Sequence, residues 1–356
     1  MTAVWIIAGL VLLVIGAEAL VRGASRVALR FGTPPLVIGL TVVAFGTSAP
    51  EVGVSIDAAR SGRDDVAFGN VIGSNTFNVL FILGASALIA PLAVARKLVR
   101  IDIPLMIGTS MLAAWMASDL YVSRTEGIAL LCLLVVFTWA TVRFSKNDPE
   151  PAAPAAPEAA PPPRILPNAA LVAGGLGLLI LGSRWFVEGA SDLARSLGVD
   201  ELTIGLTLVA AGTSLPEVAT SIMASIRGQR DIAIGNVVGS NIFNILGVLG
   251  ASAVAAPDGL HVARSAVSFD TPVMLAAAAG CLPLAWTGFR IGRREGLLLL
   301  AMYVAYTGFV VLDSRDHDAV PFYGRVMTTV VLPLVVAGIA VSVALAWKRR
   351  GKETAS

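Results

Sequence analysis

Residues 39–84 read GLTVVAFGTSAPEVGVSIDAARSGRDDVAFGNVIGSNTFNVLFILG, and residues 205–250 read GLTLVAAGTSLPEVATSIMASIRGQRDIAIGNVVGSNIFNILGVLG. The blocks align without a gap at a constant offset of 166, with 28 of 46 positions identical. A chain that repeats itself in this way is built from two copies of one structural unit. The match extends weakly upstream, where Gly16, Gly23, Ala24, Ser25 and Gly32 pair with Gly182, Gly189, Ala190, Ser191 and Gly198. What relates the two copies depends on the medium in which they fold.

That medium is a lipid bilayer. Hydrophobic residues make up 56% of the chain and charged residues 14%, against about 25% charged in a soluble domain. The apolar runs are continuous rather than alternating, so they predict membrane helices and not barrel strands. Eleven spans are expected, at 4–29, 35–60, 66–90, 101–118, 124–143, 168–196, 201–226, 232–255, 266–286, 291–312 and 325–347. The first reads as a retained helix, because no basic stretch precedes it and it is long enough to span.

Between the fifth and sixth spans lies NDPEPAAPAAPEAAPPPRILP, a Pro/Ala linker expected to be extended. The expected organisation is a five-helix repeat over 1–145, the linker over 146–167, a second five-helix repeat over 168–315, and an extra helix with a basic tail over 316–356. Five spans per copy is odd, so the second copy must start from the opposite side of the membrane. The expected fold is therefore an all-α integral membrane protein, an inverted repeat of five plus five transmembrane helices with one additional C-terminal helix. Inverted repeats with broken helices and a midplane site are the architecture of secondary transporters.

The charges give an orientation. Eighteen of the 26 Lys and Arg residues fall in alternate loops beginning after the first span, and the other eight are Arg60, Arg63, Arg124, Arg184, Arg195, Arg264, Arg315 and Arg325. By the positive-inside rule the N-terminus is expected outside and the C-terminus in the cytoplasm of a multi-pass inner (cell) membrane protein. The basic residues are scattered through short loops, and no nucleic-acid partner is expected. Cys132 and Cys281 lie in apolar spans without CxxC spacing and read as ordinary buried thiols; His261 and His317 are too few for a zinc or copper site.

Against this background, Glu51 and Glu217 stand out. Each lies in an apolar span, in the phrases GTSAPE and GTSLPE, and a carboxylate at the centre of a membrane helix costs about 2.5–3.5 kcal/mol on insertion scales. Pro50 and Pro216 break the helix just before each acid, and Gly46 and Gly212 add freedom, so carbonyls over Ala44–Thr47 and Ala210–Thr213 are expected to be released from helix bonding. Thr47, Ser48, Thr213 and Ser214 surround them with hydroxyls. The following spans add Asn70, Ser74, Asn75 and Asn78, repeated as Asn236, Ser240, Asn241 and Asn244. Ser74 with Asn78, and Ser240 with Asn244, share a helix face.

Every candidate ligand is an oxygen, and such a set selects hard cations. Two carboxylates balance one calcium or two sodium ions. Burial against an Arg or against a helix N-terminus is the alternative for the acids, but neither repeated block contains a basic residue before Arg60 or Arg227. For Asn70, Asn75, Asn236 and Asn241, hydrogen bonding between helices competes evenly with ion binding. Gly69, Gly73, Gly235 and Gly239 are expected to permit close helix packing. Asp57, whose counterpart is Met223, reads as a solvated helix end, with a funnel charge near the outer mouth as the alternative. Glu18 and Arg22, with counterparts Arg184 and Glu188, read as interhelical pairs or as charges at helix ends.

The motifs GTS-x-PE and GN-x-x-GSN-x-x-N, each present twice, resemble the alpha repeats of the calcium/cation antiporter superfamily, in particular its bacterial sodium/calcium exchanger branch. The resemblance covers residues 1–312. It implies ten core helices, with spans two, three, seven and eight around the ions and the first and sixth sliding across them, and an electrogenic exchange of sodium for calcium. By position it implies Glu51 and Glu217 as central ligands, joined by Thr47, Thr213 and the carbonyls of Ala44 and Ala210. Ser48, Ser74, Asn78, Ser214, Ser240 and Asn244 would complete the sodium sites or the central polar position. Asn at both 78 and 244 departs from potassium-dependent relatives, which carry an acid there, and leaves a site charge of −2.

The function expected is a sodium/calcium antiporter, with the two ions and the lipid bilayer as partners, no cofactor and no enzymatic reaction. Protons are expected to compete at the carboxylates, so that transport falls at acid pH. A proton-coupled calcium exchanger is the alternative within the same class; the Ser, Thr and Asn residues around the acids fit sodium better. A membrane enzyme using the two acids would need asymmetric partners, and a passive channel would need a ring of ligands and show no coupling.

Overall fold

The computed structural model describes residues 2–144, 164–197, 208, 210–313, 320–326, 329 and 337. Without water to bond to, apolar runs satisfy their backbone internally and become helices. In chain order these are α1 (Thr2–Phe31), α2 (Pro35–Thr47), α3 (Ala49–Arg60), α4 (Asp64–Ile89), α5 (Leu98–Asp119), α6 (Arg124–Phe144) and α7 (Ile165–Ser196). They continue with α8 (Ala210–Thr213), α9 (Leu215–Ile226), α10 (Arg230–Ala255), α11 (Ala266–Trp286), α12 (Arg293–Asp313) and α13 (Val320–Val326). Among the described residues, eight helices are long and apolar enough to cross a membrane, and α2 with α3 makes a ninth span bent by 44°.

Two expected boundaries change. Helix α7 begins at Ile165, inside the stretch expected to be extended linker. Its Pro167 sits in the first turn, where a missing N–H breaks no helical bond, so the proline does not delay the helix. Helix α13 starts at Val320, ahead of the eleventh expected span; nearly all of that span lies outside the described residues, as do 201–207 of the seventh and 146–163 of the linker.

Two short ribbons show how the halves are related. After α4, β1 (Leu92–Ala93) pairs antiparallel with β4 (Arg290–Ile291), which precedes α12. After α5, β2 (Tyr121–Val122) pairs with β3 (Leu260–His261), which follows α10. Each ribbon joins the loop after the third span of one half to the loop after the fourth span of the other. Successive loops of a helical bundle alternate between membrane faces, so these pairings require the second half to be inverted. Two arginines repeat the rule: Arg124 donates to the Ala256 carbonyl at 2.9 Å, and its counterpart Arg293 donates to the Leu88 carbonyl at 3.1 Å.

Helices α4 and α10 form the centre. The most apolar stretch of α10 is 100% buried and that of α4 72%, against 22% for α6 and 11% for α12. Helices α6 and α12 therefore line the periphery, so Cys132 on α6 is exposed and not buried as expected, whereas Cys281 on α11 is buried. Lipid gives no hydrophobic drive between helices, so packing must be close to be favourable. Glycine provides it. A Cβ on Gly127 would come within 2.8 Å of the Gly250 carbonyl, and one on Gly84 within 3.0 Å of the Gly296 carbonyl; these contacts are images of each other under the repeat.

The longest seam joins α1 to α7. Gly9, Gly16 and Gly23 recur every seven residues on α1, and their counterparts Gly175, Gly182 and Gly189 do so on α7. A Cβ on Gly9 would stand 2.5 Å from the Phe186 nitrogen, one on Gly16 2.8 Å from the Gly175 carbonyl, and one on Gly182 2.8 Å from the Gly9 carbonyl. The helices thus run antiparallel, backbone against backbone. Gly235 and Gly239 play the expected packing role, facing Leu36 and Leu40 of α2. For Gly69 and Gly73 no described atom lies within 4 Å of the Cβ positions, and the repeat counterparts of Leu36 and Leu40 are 202 and 206, outside the described residues.

The seam sets a sharp contrast between neighbouring glycines. Gly182→Ala must push α1 away from α7 and is expected to cost about 1–3 kcal/mol. Gly177→Ala, with open space around its Cβ, is expected to be neutral or to gain up to about 1 kcal/mol from helix propensity. Thermal unfolding of the purified variants in detergent reads the difference.

Candidate ion-binding site

The two helix breaks build the site. Ser48, at φ −81° and ψ 7°, separates α2 from α3, and Ser214, at φ −88° and ψ 5°, separates α8 from α9. Pro50 and Pro216 follow at the second position of α3 and α9, where they deprive the carbonyls of Gly46 and Gly212 of their usual helical donors. The break places Glu51 and Glu217 in the first turn of a new helix. There the unpaired N–H groups and the positive end of the helix dipole favour a carboxylate. Each acid is only 1% exposed.

The halves meet through crossed hydrogen bonds. Ser48 Oγ donates to Glu217 Oε1 at 2.9 Å, and Ser214 Oγ donates to Glu51 Oε1 at 2.8 Å. Thr47 Oγ1 lies 3.1 Å from Asn236 Oδ1, and Thr213 Oγ1 lies 3.4 Å from Asn70 Oδ1. Ser74 Oγ is 3.2 Å from Ser214 Oγ, which extends the chain from Glu51 into α4. Each glutamate is therefore held by a hydroxyl of the other copy.

Behind the acids, Asn70 Nδ2 donates to Ser55 Oγ at 2.8 Å and to the Glu51 carbonyl at 3.4 Å; Asn236 Nδ2 donates to Ser221 Oγ at 2.9 Å and to the Glu217 carbonyl at 3.4 Å. Asn75 and Asn241 bridge α4 to α10. The four asparagines for which two roles were open thus all make hydrogen bonds that tie helices together.

Of the residues expected at the site, Ala44, Thr47, Ser48, Glu51, Ser74, Asn78, Ser214, Glu217, Ser240 and Asn244 are buried on these four strands of the repeat, and Thr213 is partly buried. Ala210 opens α8, and its side chain lies outside the described residues. One expectation fails. The Ala44 carbonyl is not released, because it accepts the Ser48 N–H at 3.1 Å and lies 3.4 Å from the Thr47 hydroxyl. The break falls one turn later than that carbonyl, so its helical bond survives.

Ser55, Ser221 and Ser183 were not singled out in the sequence. Ser55 and Ser221 are identical across the repeat and lie four residues after each glutamate, a signal that spacing alone offered. Ser183 has no such signal: it donates to the Gly212 carbonyl at 2.5 Å, while its counterpart is Ala17. Away from the site, Asp57 pairs with Arg63 at 2.9 Å on an exposed turn, and Glu18 pairs with Arg22 and with Arg227, the latter at 2.7 Å. The interhelical pairing expected of Glu18 is therefore present.

The chemistry of the donor set is that of a hard-cation site. Glu51 Oε2, Glu217 Oε2, Asn78 Oδ1, Asn244 Oδ1 and Ser240 Oγ are buried and have no hydrogen-bond partner among the described residues. Among the described residues there is no cluster of three or more His, Cys, Asp or Glu side chains.

Known proteins agree with this architecture. The family model described as sodium/calcium exchanger protein matches residues 1–143 and 168–312. The putative antiporter CaxA of Alkalimonas amylolytica is 40% identical over 309 residues, covering 85% of this chain and 96% of its own. The sodium/calcium exchanger MaX1 of Methanosarcina acetivorans is 32% identical, covering 84% and 95%. A solved structure of the sodium-calcium exchanger NCX_Mj, soaked with Na+ and Sr2+, superposes with a TM-score of 0.74 at 32% identity over 85% of this chain and 96% of that one. The inverted helical fold, the two copies of the repeat and these matches together make the chain a multi-pass membrane transporter of the sodium/calcium exchanger family.

Proposed function

We propose that the protein exchanges sodium for calcium by alternating access at the Glu51–Glu217 pair. Thr47, Thr213, Ser48, Ser214, Ser74, Ser240, Asn78, Asn244 and the carbonyls of Ala44 and Ala210 complete the ligand set, the Ala44 carbonyl through the lone pair that its helical bond leaves over. The observation that carries this reading is the group of buried oxygens without partners on both glutamates and both terminal asparagines. A buried acceptor left unsatisfied costs about 1–3 kcal/mol, more if charged, and a cation satisfies several at once. With two carboxylates as its only charges, the site is neutralised by one calcium or by two sodium ions, which is the basis for their competition.

Alternating access needs two conformations that exchange which half is closed, and the two halves here are not packed alike. Helix α1 lies along α9, while the inverted pair, α7 and α3, is less closely packed. As a result Thr220 on α9 is fully buried, and its counterpart Val54 on α3 is 41% exposed. With the N-terminus outside and the C-terminus in the cytoplasm, as the distribution of Lys and Arg favours, α1 and α9 close the cytoplasmic side and the outer side is open. In this reading residues 1–145 and 168–315 are the exchanging units, joined by the 146–167 linker, and 316–356 adds a helix outside the repeat.

Calcium uptake into sodium-loaded proteoliposomes diluted into sodium-free buffer tests the coupling. Wild type is expected to take up calcium only with internal sodium, and Glu51→Gln to lose at least about tenfold of the rate, equivalent to about 1.4 kcal/mol. Uptake driven by a pH gradient in place of sodium would replace the reading with proton coupling; flux indifferent to both gradients would mean a channel.

Access is tested separately by cysteine labelling in a Cys132→Ser, Cys281→Ser background. A membrane-impermeant thiol reagent added outside is expected to label Val54→Cys and to spare Thr220→Cys. Equal labelling of the two from outside would contradict the open outer side.

A further inference from the structure

We propose that Asn75 and Asn241 are positioning residues that fix which atom of the Asn78 and Asn244 amides faces a bound cation, and so set the affinity for sodium; this rests on the exchange reading above. An asparagine side chain offers an oxygen to a cation or turns an NH2 group toward it, and the second arrangement repels. The choice is made by neighbouring hydrogen bonds.

Here the choice can be traced to two groups that have no proton to give. Asn75 Nδ2 donates to the backbone carbonyl of Asn241 at 3.1 Å. A carbonyl only accepts, so the nitrogen of Asn75 must be on that side and its oxygen on the other. That oxygen accepts from Asn244 Nδ2 at 3.1 Å. Similarly, Asn241 Nδ2 points at Met106 Sδ of α5 at 3.3 Å, a thioether that also only accepts. Asn241 Oδ1 then accepts from Asn78 Nδ2 at 3.2 Å. One carbonyl and one sulfur thus order four amides.

The end of each sequence is an oxygen. Asn78 Oδ1 and Asn244 Oδ1 are buried without partners, in residues 1% exposed. Both residues open a wide helical turn, Asn78–Ile82 in α4 and Asn244–Leu249 in α10, a distortion common where helices carry function. Neither Asn75 nor Asn241 needs to touch an ion for this to work. The arrangement also crosses the symmetry axis: each half orders the amide of the other.

One calcium ion shares both carboxylates, whereas two sodium ions divide them, so each sodium has one carboxylate and draws a larger share of its binding from neutral oxygens. Loss of the ordering should therefore fall on sodium. In proteoliposomes, Asn75→Ala and Asn241→Ala are expected to raise the sodium concentration for half-maximal exchange by about tenfold and that for calcium by less than about threefold. The decisive measurement is a double-mutant cycle. If Asn75 acts through Asn244, Asn75→Ala should add no more than about twofold in an Asn244→Ala background; the Asn241–Asn78 cycle repeats the test with different residues.

Full additivity in both cycles, or equal losses for sodium and calcium, would overturn the proposal in favour of a purely structural bridge. Failure of both alanine variants to yield monodisperse protein would do the same. Absence of sodium-dependent calcium uptake in wild type would instead remove the exchange reading beneath it, so the two failures are distinguishable.

Discussion

Two carboxylates are buried, each only 1% exposed, with no basic residue paired to them among the described residues, and the rest of the molecule is arranged around that cost. Glu51 and Glu217 are tolerated because each begins a helix, and each begins a helix because a serine and a proline have just ended one. The hydroxyls of Ser48 and Ser214 then stabilise the opposite acid. Remove the breaks and the acids would lie mid-helix, with neither free N–H groups nor a dipole to meet them. The distortion of the helix and the burial of the charge are therefore one arrangement.

Such an arrangement has to be held by a frame that brings four helix segments together without filling the space between them. Glycine provides the frame where backbones meet, at Gly9 with Gly182, Gly84 with Gly296 and Gly127 with Gly250. Asparagine provides it near the acids, where Asn70 and Asn236 tie each break to the next helix. The two ribbons lock the loops on each face. Contact is thus made by backbone at the periphery and by amides at the centre, which leaves oxygen atoms rather than methyl groups around the glutamates.

Much of this could be read from residues alone because the chain states it twice. The identity of GTS-x-PE in both halves pointed to Thr47, Ser48, Glu51 and their counterparts, and an odd number of spans gave the inversion that the strand pairing displays. What escaped were features that spacing does not encode. The bonds of Ser48 and Ser214 cross between halves, and no pattern within one half specifies a partner in the other. Ser183 compensates a proline 33 residues away, Pro216, without a counterpart to draw attention to it. Ala44 keeps its helical bond because a break releases carbonyls only at a definite place, one residue type cannot announce that place, and Pro50 reaches back to Gly46. Pro167 falls within the expected linker because composition marks prolines without regard to position in a turn.

The crossing of the hydroxyl bonds bears on how such a protein comes into being. A ribosome completes the first half, residues 1–143, well before Ser214 has been made. Through that interval Glu51 has its own half's Asn70 against its carbonyl but no serine for its carboxylate. The reciprocal bond from Ser48 has no acceptor either. Neither half contains a finished centre, and truncation at the linker leaves an unmatched acid in the membrane on one piece and its serine on the other. The centre comes into existence at a single moment of biosynthesis, when α9 enters beside α3, and its assembly marks a chain whose two halves have both been inserted.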